Sequence, residues 1–181
     1  EEMANKKTRA ADKEEFEKII STIRTGFVLP GGDRIRPNER VATALTLQAN
    51  LGLRIGDIVH LKLADILFEG GRYHLDIVEQ KTGKSRTFTV PTEVYIYLQN
   101  YTIQQGLRPT QKLFPLTVRA VQLHLQKVCR YLGITGVSTH SFRKFFAVSI
   151  YMENDYNVEL VRQLLQHSSV AVTQHYLSVE P

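Results

Sequence analysis

Tyr176 stands nine positions after His167 in the segment LLQHSSVAVTQHYL, and upstream the segment THSFRKFFA places His140 and Arg143 three residues apart. A phenolic hydroxyl attacks an anionic centre only where fixed positive charge offsets the charge that builds up there. Arg143 and a second arginine, Arg54 in LGLRIGD, can offer such charge to a phosphate. A histidine three residues before an arginine puts both on one helix face, about one turn apart, where two donors suit an anion. Read singly, each group also has a plainer role. Arg54 can pair with Asp57 at the surface, Lys81 and Lys84 can be solvated residues of one turn, and Tyr176 is one of eight tyrosines. It is the neighbours of Tyr176 that set it apart.

Those residues must be held by a modest number of elements. A chain of 181 residues, 43% hydrophobic and 23% charged, is long and apolar enough for one globular domain. Its single cysteine, Cys129, excludes an internal disulfide and fits a reducing, cytoplasmic setting. No apolar run has the length of a membrane span and no secretory signal opens the sequence. Asp12 and Glu15 have the spacing of a capping box for a helix running to about Arg24. A Pro/Gly-rich loop, LPGGDRIRP, follows. The apolar spacing predicts a helix from Glu39 to Leu51, stopped by Gly52, with Arg54 at a junction and a short helix over Gly56–Leu61. Strands are expected at Asp65–Phe68, Tyr73–Glu79 and Arg86–Val90, the last two joined by a turn around Lys-Thr-Gly-Lys. Helices are expected at Thr92–Gln105, Thr117–Leu132, His140–Glu153 and Val158–Gln166, with a short one carrying Tyr176. The fold class is thus mainly α with a small antiparallel three-stranded sheet, an α+β domain.

Charge points to a partner. The net charge is +5, and between Glu93 and Glu153 there is no Asp or Glu, while Arg108, Lys112, Arg119, Lys127, Arg130, Arg143 and Lys144 all fall there. Cations gathered without acids are the footprint of a phosphate backbone or, more plainly, a solvated basic face. Other chemistries find little support. His124 and Cys129 lack further ligands at zinc spacing, no phosphate-cradling glycine motif is present, and no serine sits in a nucleophile elbow. His60, His74 and His175 read as surface or hairpin residues.

Taken in order, Arg54 in GLRIGD, Lys81 in VEQKTGKSRTFTVP, the His140/Arg143 pair, and His167 nine before Tyr176 resemble the catalytic domain of the tyrosine recombinase (phage integrase) family. The resemblance covers Lys13 to Leu177. Two positions depart from the family pattern. Lys144 follows the second arginine where histidine is frequent, and Gln166 precedes His167 where glycine is usual. The resemblance implies a domain over 13–181, with 1–12 as a linker or remnant and an N-terminal core-binding domain missing.

What it implies for chemistry is specific. The phenol of a tyrosine, with an ordinary pKa of about 10, needs help to attack a phosphodiester near neutrality. Arg54 and Arg143 would hold the non-bridging oxygens, and Lys81 would protonate the departing 5′ oxygen, a role for which Lys84 competes. His140 would take or relay the tyrosine proton while His167 bonds the phosphate. Asp57 would orient Arg54 through a hydrogen bond. Lys84, Arg86, Arg119, Lys127, Arg130 and Lys144 would contact DNA. No metal and no cofactor is expected. The implied activity is site-specific strand exchange for integration or excision of a phage or mobile element, carried out on double-stranded DNA by a homotetramer at the bacterial nucleoid, with no membrane partner. The alternatives are a DNA-binding module of the same fold without catalysis, and a type IB topoisomerase-like strand transferase.

Overall fold

The computed structural model describes residues 8–179. The proposed linker over 1–12 therefore lies partly outside the described residues. From residue 8 onward the chain packs against the domain, with Ala11 buried and the Arg9 N–H donating to the Gly136 carbonyl at 3.2 Å. Asp12 caps α1 (Lys13–Thr25) through the expected reciprocal box with Glu15. Helix α2 (Glu39–Leu51) is buried at nine of its 13 positions, which makes it the central post of the domain rather than a surface helix. It ends at Gly52, in the left-handed region with φ 72°. A Cβ at Gly52 would lie 2.4 Å from the ring of Phe146, so only glycine lets the end of α2 approach α6 (His140–Glu153) this closely.

One element was not foreseen. The Pro/Gly-rich loop carries a two-stranded hairpin, β1 (Phe27–Val28) with β2 (Arg34–Ile35), too short for any periodicity to register. The short helix expected over Gly56–Leu61 is α3 (Ile55–Ile58), and a 3₁₀ turn at Leu63–Asp65 leads into the sheet. The three-stranded antiparallel sheet has the order β3 (Ile66–Glu69), β4 (Arg72–Val78), β5 (Ser85–Val90). Ile77 is registered with Arg86, Leu75 with Phe88 and Tyr73 with Val90, so these pairs share the inward face.

The remaining helices are α4 (Thr92–Gln105), α5 (Val118–Leu132), α6, α7 (Val158–Leu165) and α8 (Val170–Leu177). The large core joins α1, α2, α4, α5 and the sheet to Phe142 of α6. A second, smaller core of Ala147, Val161, Leu165 and Leu177 holds α7 and α8 against the later turns of α6. The segment that ends in Tyr176 is therefore anchored by few apolar side chains. No helix among the described residues is long and apolar enough to cross a membrane.

Candidate active site

The motif GLR has a direct structural meaning. Gly52 ends α2 and turns its carbonyl toward α6, where it accepts the Arg143 Nε–H at 2.8 Å; Arg54, two residues on, is the cap residue of α3. One short segment therefore fixes one arginine and presents the other. Arg143 is only 2% exposed. With Nε committed to Gly52, its Nη2 is buried and makes no well-formed hydrogen bond among the described residues.

The first turn of α6 supplies His140 and Arg143 on one face, at a helix N-terminus whose dipole favours an anion. His140 is half-buried, and burial, followed by the charges of Arg143, Lys144, Arg54 and Lys81, lowers its pKa to about 4. It is a neutral imidazole at physiological pH, and the same burial and cations make it a weak base until an anion offsets them.

Tyr176 enters from α8 of the same chain. Its ring meets those of His140 and His167 edge-on, with centroids 5.5 and 5.2 Å apart, and the Arg143 guanidinium lies 5.9 Å from its centroid. Its hydroxyl is buried and makes no well-formed hydrogen bond among the described residues. Burial pushes the phenol above its ordinary pKa, opposed by the charges of Arg143 and Arg54 and by the approach of the Arg143 guanidinium to the hydroxyl. His167 is fixed by its Nδ1, which shares a hydrogen bond of 2.9 Å with the buried Thr173 hydroxyl. Burial, and then Arg143, Arg54 and Arg86, depress its pKa as well. The six residues singled out for chemistry thus converge, with Lys81 on the exposed hairpin turn lining a cleft of about 350 Å³ beside Arg54, Asp57 and His140.

Three expectations need correction. Asp57 does not orient Arg54: its Oδ1 accepts the Gln80 backbone N–H at 2.8 Å, which pins the turn beside Lys81. Glu79 takes the Arg54 Nη1–H instead, at 2.6 Å. Arg86 is not a surface cation, since it lies on the inward face of β5, 5% exposed, paired with Glu79 at 3.1 Å and set over the Phe88 ring. Lys144 is buried too, because the position after Arg143 turns toward the N-terminal segment. Its Nζ donates to the Thr8 carbonyl at 2.8 Å and lies 5.1 Å from the centre of the Tyr176 ring. Lys84, Arg119, Lys127 and Arg130 are exposed.

Gln166, where a glycine was the familiar residue, ends α7 in the left-handed region with φ 56° and ψ 40°. A side chain costs about 1 kcal/mol or more in that conformation. Gln166→Gly is therefore expected to stabilise the domain by a few tenths to about 1 kcal/mol, net of glycine's greater freedom when unfolded. Urea unfolding at constant m-value checks this, and a lowered midpoint would contradict it.

Comparison with known proteins gives a consistent picture. The model of the phage integrase family matches residues 9–181. The tyrosine recombinase XerA of Pyrococcus furiosus is 31% identical over 94% of this chain and 57% of its own length. A XerC tyrosine recombinase of Caldanaerobacter subterraneus subsp. tengcongensis is 25% identical over 92% of this chain and 46% of its own. The chain thus spans about half the length of such relatives. Among solved structures, the catalytic domain of bacteriophage HP1 integrase superposes with a TM-score of 0.68 at 16% identity, covering 97% of this chain and 90% of that one. A crystal structure of XerA recombinase superposes with a TM-score of 0.69 at 20% identity, covering 96% and 60%.

Proposed function

The chain belongs to the phage integrase family, and from that premise we propose that it is the strand-cleaving domain of a tyrosine-type site-specific DNA recombinase. The observation that carries this reading is a pair of buried polar atoms, Arg143 Nη2 and the Tyr176 hydroxyl, neither of which makes a well-formed hydrogen bond among the described residues. Buried donors are rarely left unmet. A phosphate seated between Arg54 and Arg143 accepts from both guanidiniums and brings phosphorus to the phenol.

The step balances without another reactant. The Tyr176 oxygen bonds to phosphorus as the bond from phosphorus to the 5′ oxygen breaks. The phenolic proton passes to neutral His140, and Lys81 gives a proton to the 5′ oxygen. The arginines and His167 donate to the charge that grows on the non-bridging oxygens. The products are a 3′-phosphotyrosyl bond and a 5′ hydroxyl. Attack by a 5′ hydroxyl from another duplex reverses the step and joins exchanged strands.

On this reading the partner is double-stranded DNA, approached by the exposed Lys84, Arg119, Lys127 and Arg130, and the full reaction is carried out by a homotetramer on two sites. Its place is the nucleoid of a bacterial host and its use the integration or excision of a phage or mobile element. Incubation with a nicked site-bearing DNA, followed by denaturing electrophoresis, tests the chemistry. A covalent adduct is the expected result. DNA retardation with no adduct would leave a binding module instead, and supercoil relaxation without partner exchange a topoisomerase.

Lys81 and Lys84 flank the same turn, and their roles separate by leaving group. A bridging 5′-phosphorothiolate departs without needing a proton, so it is expected to restore cleavage to Lys81→Ala and to change little for Lys84→Ala. Rescue of the second variant instead would exchange the roles.

A further inference from the structure

Glu79 is buried, 4% exposed, in the middle of the cations of this site. Its Oε2 accepts from Arg54 Nη1 at 2.6 Å and from Arg86 Nη1 at 3.1 Å, and its Oε1 accepts from the Thr82 hydroxyl at 2.8 Å. Burial alone would raise its pKa, but the hydrogen bonds from Thr82 and Arg86 and the charges of Arg54 and Arg86 outweigh that and hold it lowered and ionised. Its backbone also closes the turn that carries Lys81, donating to the Lys84 carbonyl at 2.9 Å and accepting from the Gly83 N–H at 2.9 Å. Arg86 in turn donates through Nη2 to the Leu164 carbonyl, near the end of α7 and three residues before His167.

We propose that Glu79 is a positioning residue that sets Arg54 and the Lys81 turn as one unit and, through Arg86, registers that unit against the segment bearing His167 and Tyr176. Arg54 arrives from the end of α2, Lys81 from the sheet and Tyr176 from a helix held by its own small core. The large core packs the end of α2 against the sheet, whereas the segment bearing Tyr176 is held by the small core. One carboxylate shared by two guanidiniums links the two: it leaves the other face of Arg54 free for the anion and removes one charge from a crowded cationic pocket. The proposal rests on the strand-cleaving reading above.

The test measures adduct formation by Glu79→Gln on an ordinary phosphodiester and on the 5′-phosphorothiolate. Misplacing an orienting partner is expected to slow the ordinary reaction roughly 10- to 100-fold. The phosphorothiolate is expected to recover only part of this loss, because it bypasses Lys81 but not Arg54. Glu79→Gln combined with Arg54→Ala is expected to be scarcely slower than Arg54→Ala alone, since both changes remove the same function. Wild-type protein that formed no adduct would overturn the strand-cleaving reading itself. Wild-type protein that did, beside Glu79→Gln at wild-type rate or a double variant whose losses multiply in full, would overturn only the role of Glu79. Should Glu79→Gln lose its cooperative thermal transition, Thr82→Val decides. It removes the hydroxyl that donates to Glu79 and accepts from the Lys84 N–H, and is expected to slow the phosphodiester reaction severalfold with full recovery on the phosphorothiolate. An unchanged rate would sink the proposal.

Discussion

Replacing Tyr176 with Phe is expected to abolish the covalent adduct on a nicked site-bearing DNA while leaving DNA retardation within roughly twofold of wild type, because phosphate contacts elsewhere dominate binding. The fold should survive the change. The hydroxyl is buried and Arg143 approaches it without a well-formed hydrogen bond, so its loss removes a desolvated polar atom at little cost. Thermal unfolding is expected at or slightly above the wild-type midpoint, which separates a chemical defect from a folded-state one. Two other tyrosines are nearby in sequence but poorly placed. Tyr151 and Tyr156 meet edge-on, with ring centroids 5.4 Å apart, at the far end of α6. Eleven residues of helix put Tyr151 roughly 16 Å along the axis from His140. An adduct retained by Tyr176→Phe and mapped to either of them would overturn the assignment of the nucleophile.

How much of this site was legible in the sequence depends on which residue is asked about. His140 and Arg143 were legible because a spacing of three on a helix forces a shared face, and Gly52 because a glycine after a helical pattern marks its end. Glu79 was missed and Arg86 was read as a DNA contact, although a signal for both existed. Tyr73, Leu75 and Ile77 set the inward parity of β4, Phe88 and Val90 that of β5, and Glu79 and Arg86 continue those two rows. An acid and a base on the buried parity of adjacent strands are a paired core charge, not surface residues. Lys144 misled for a related reason. A stretch without acids reads as a basic face, but sequence carries charge without direction, and Arg143 and Lys144 are both buried. Asp57 was one residue type right and one partner wrong: an acid does hold Arg54, but it comes from the turn after β4, which only the folded chain brings near. The hairpin of β1 and β2 was beyond reach, since two-residue strands carry no period.

Arg143 carries the second large expectation. Arg143→Ala should slow adduct formation at least ~10²-fold, the scale for losing a preorganised donor at a developing charge. Lysine should recover little of it. The guanidinium performs two tasks through separate nitrogens: Nε holds the Gly52 carbonyl at 2.8 Å, and the buried Nη2 stays available. One ammonium on a flexible stem cannot occupy both places, and a lysine that reached the phosphate would leave the carbonyl of Gly52 unmet in a buried setting. Arg54→Ala is expected to show a loss of similar scale, with one difference that the geometry requires. Arg54 is tied to Glu79 rather than to the backbone, so its removal leaves a buried carboxylate still paired with Arg86, whereas removal of Arg143 also loosens the junction between α2 and α6. Arg143→Ala should therefore lower the thermal midpoint more than Arg54→Ala does. Rates measured well below both midpoints, alongside DNA retardation, keep the two effects apart. If both alanine variants cleave at nearly the wild-type rate, the arginines serve the fold alone and the phosphate lies elsewhere.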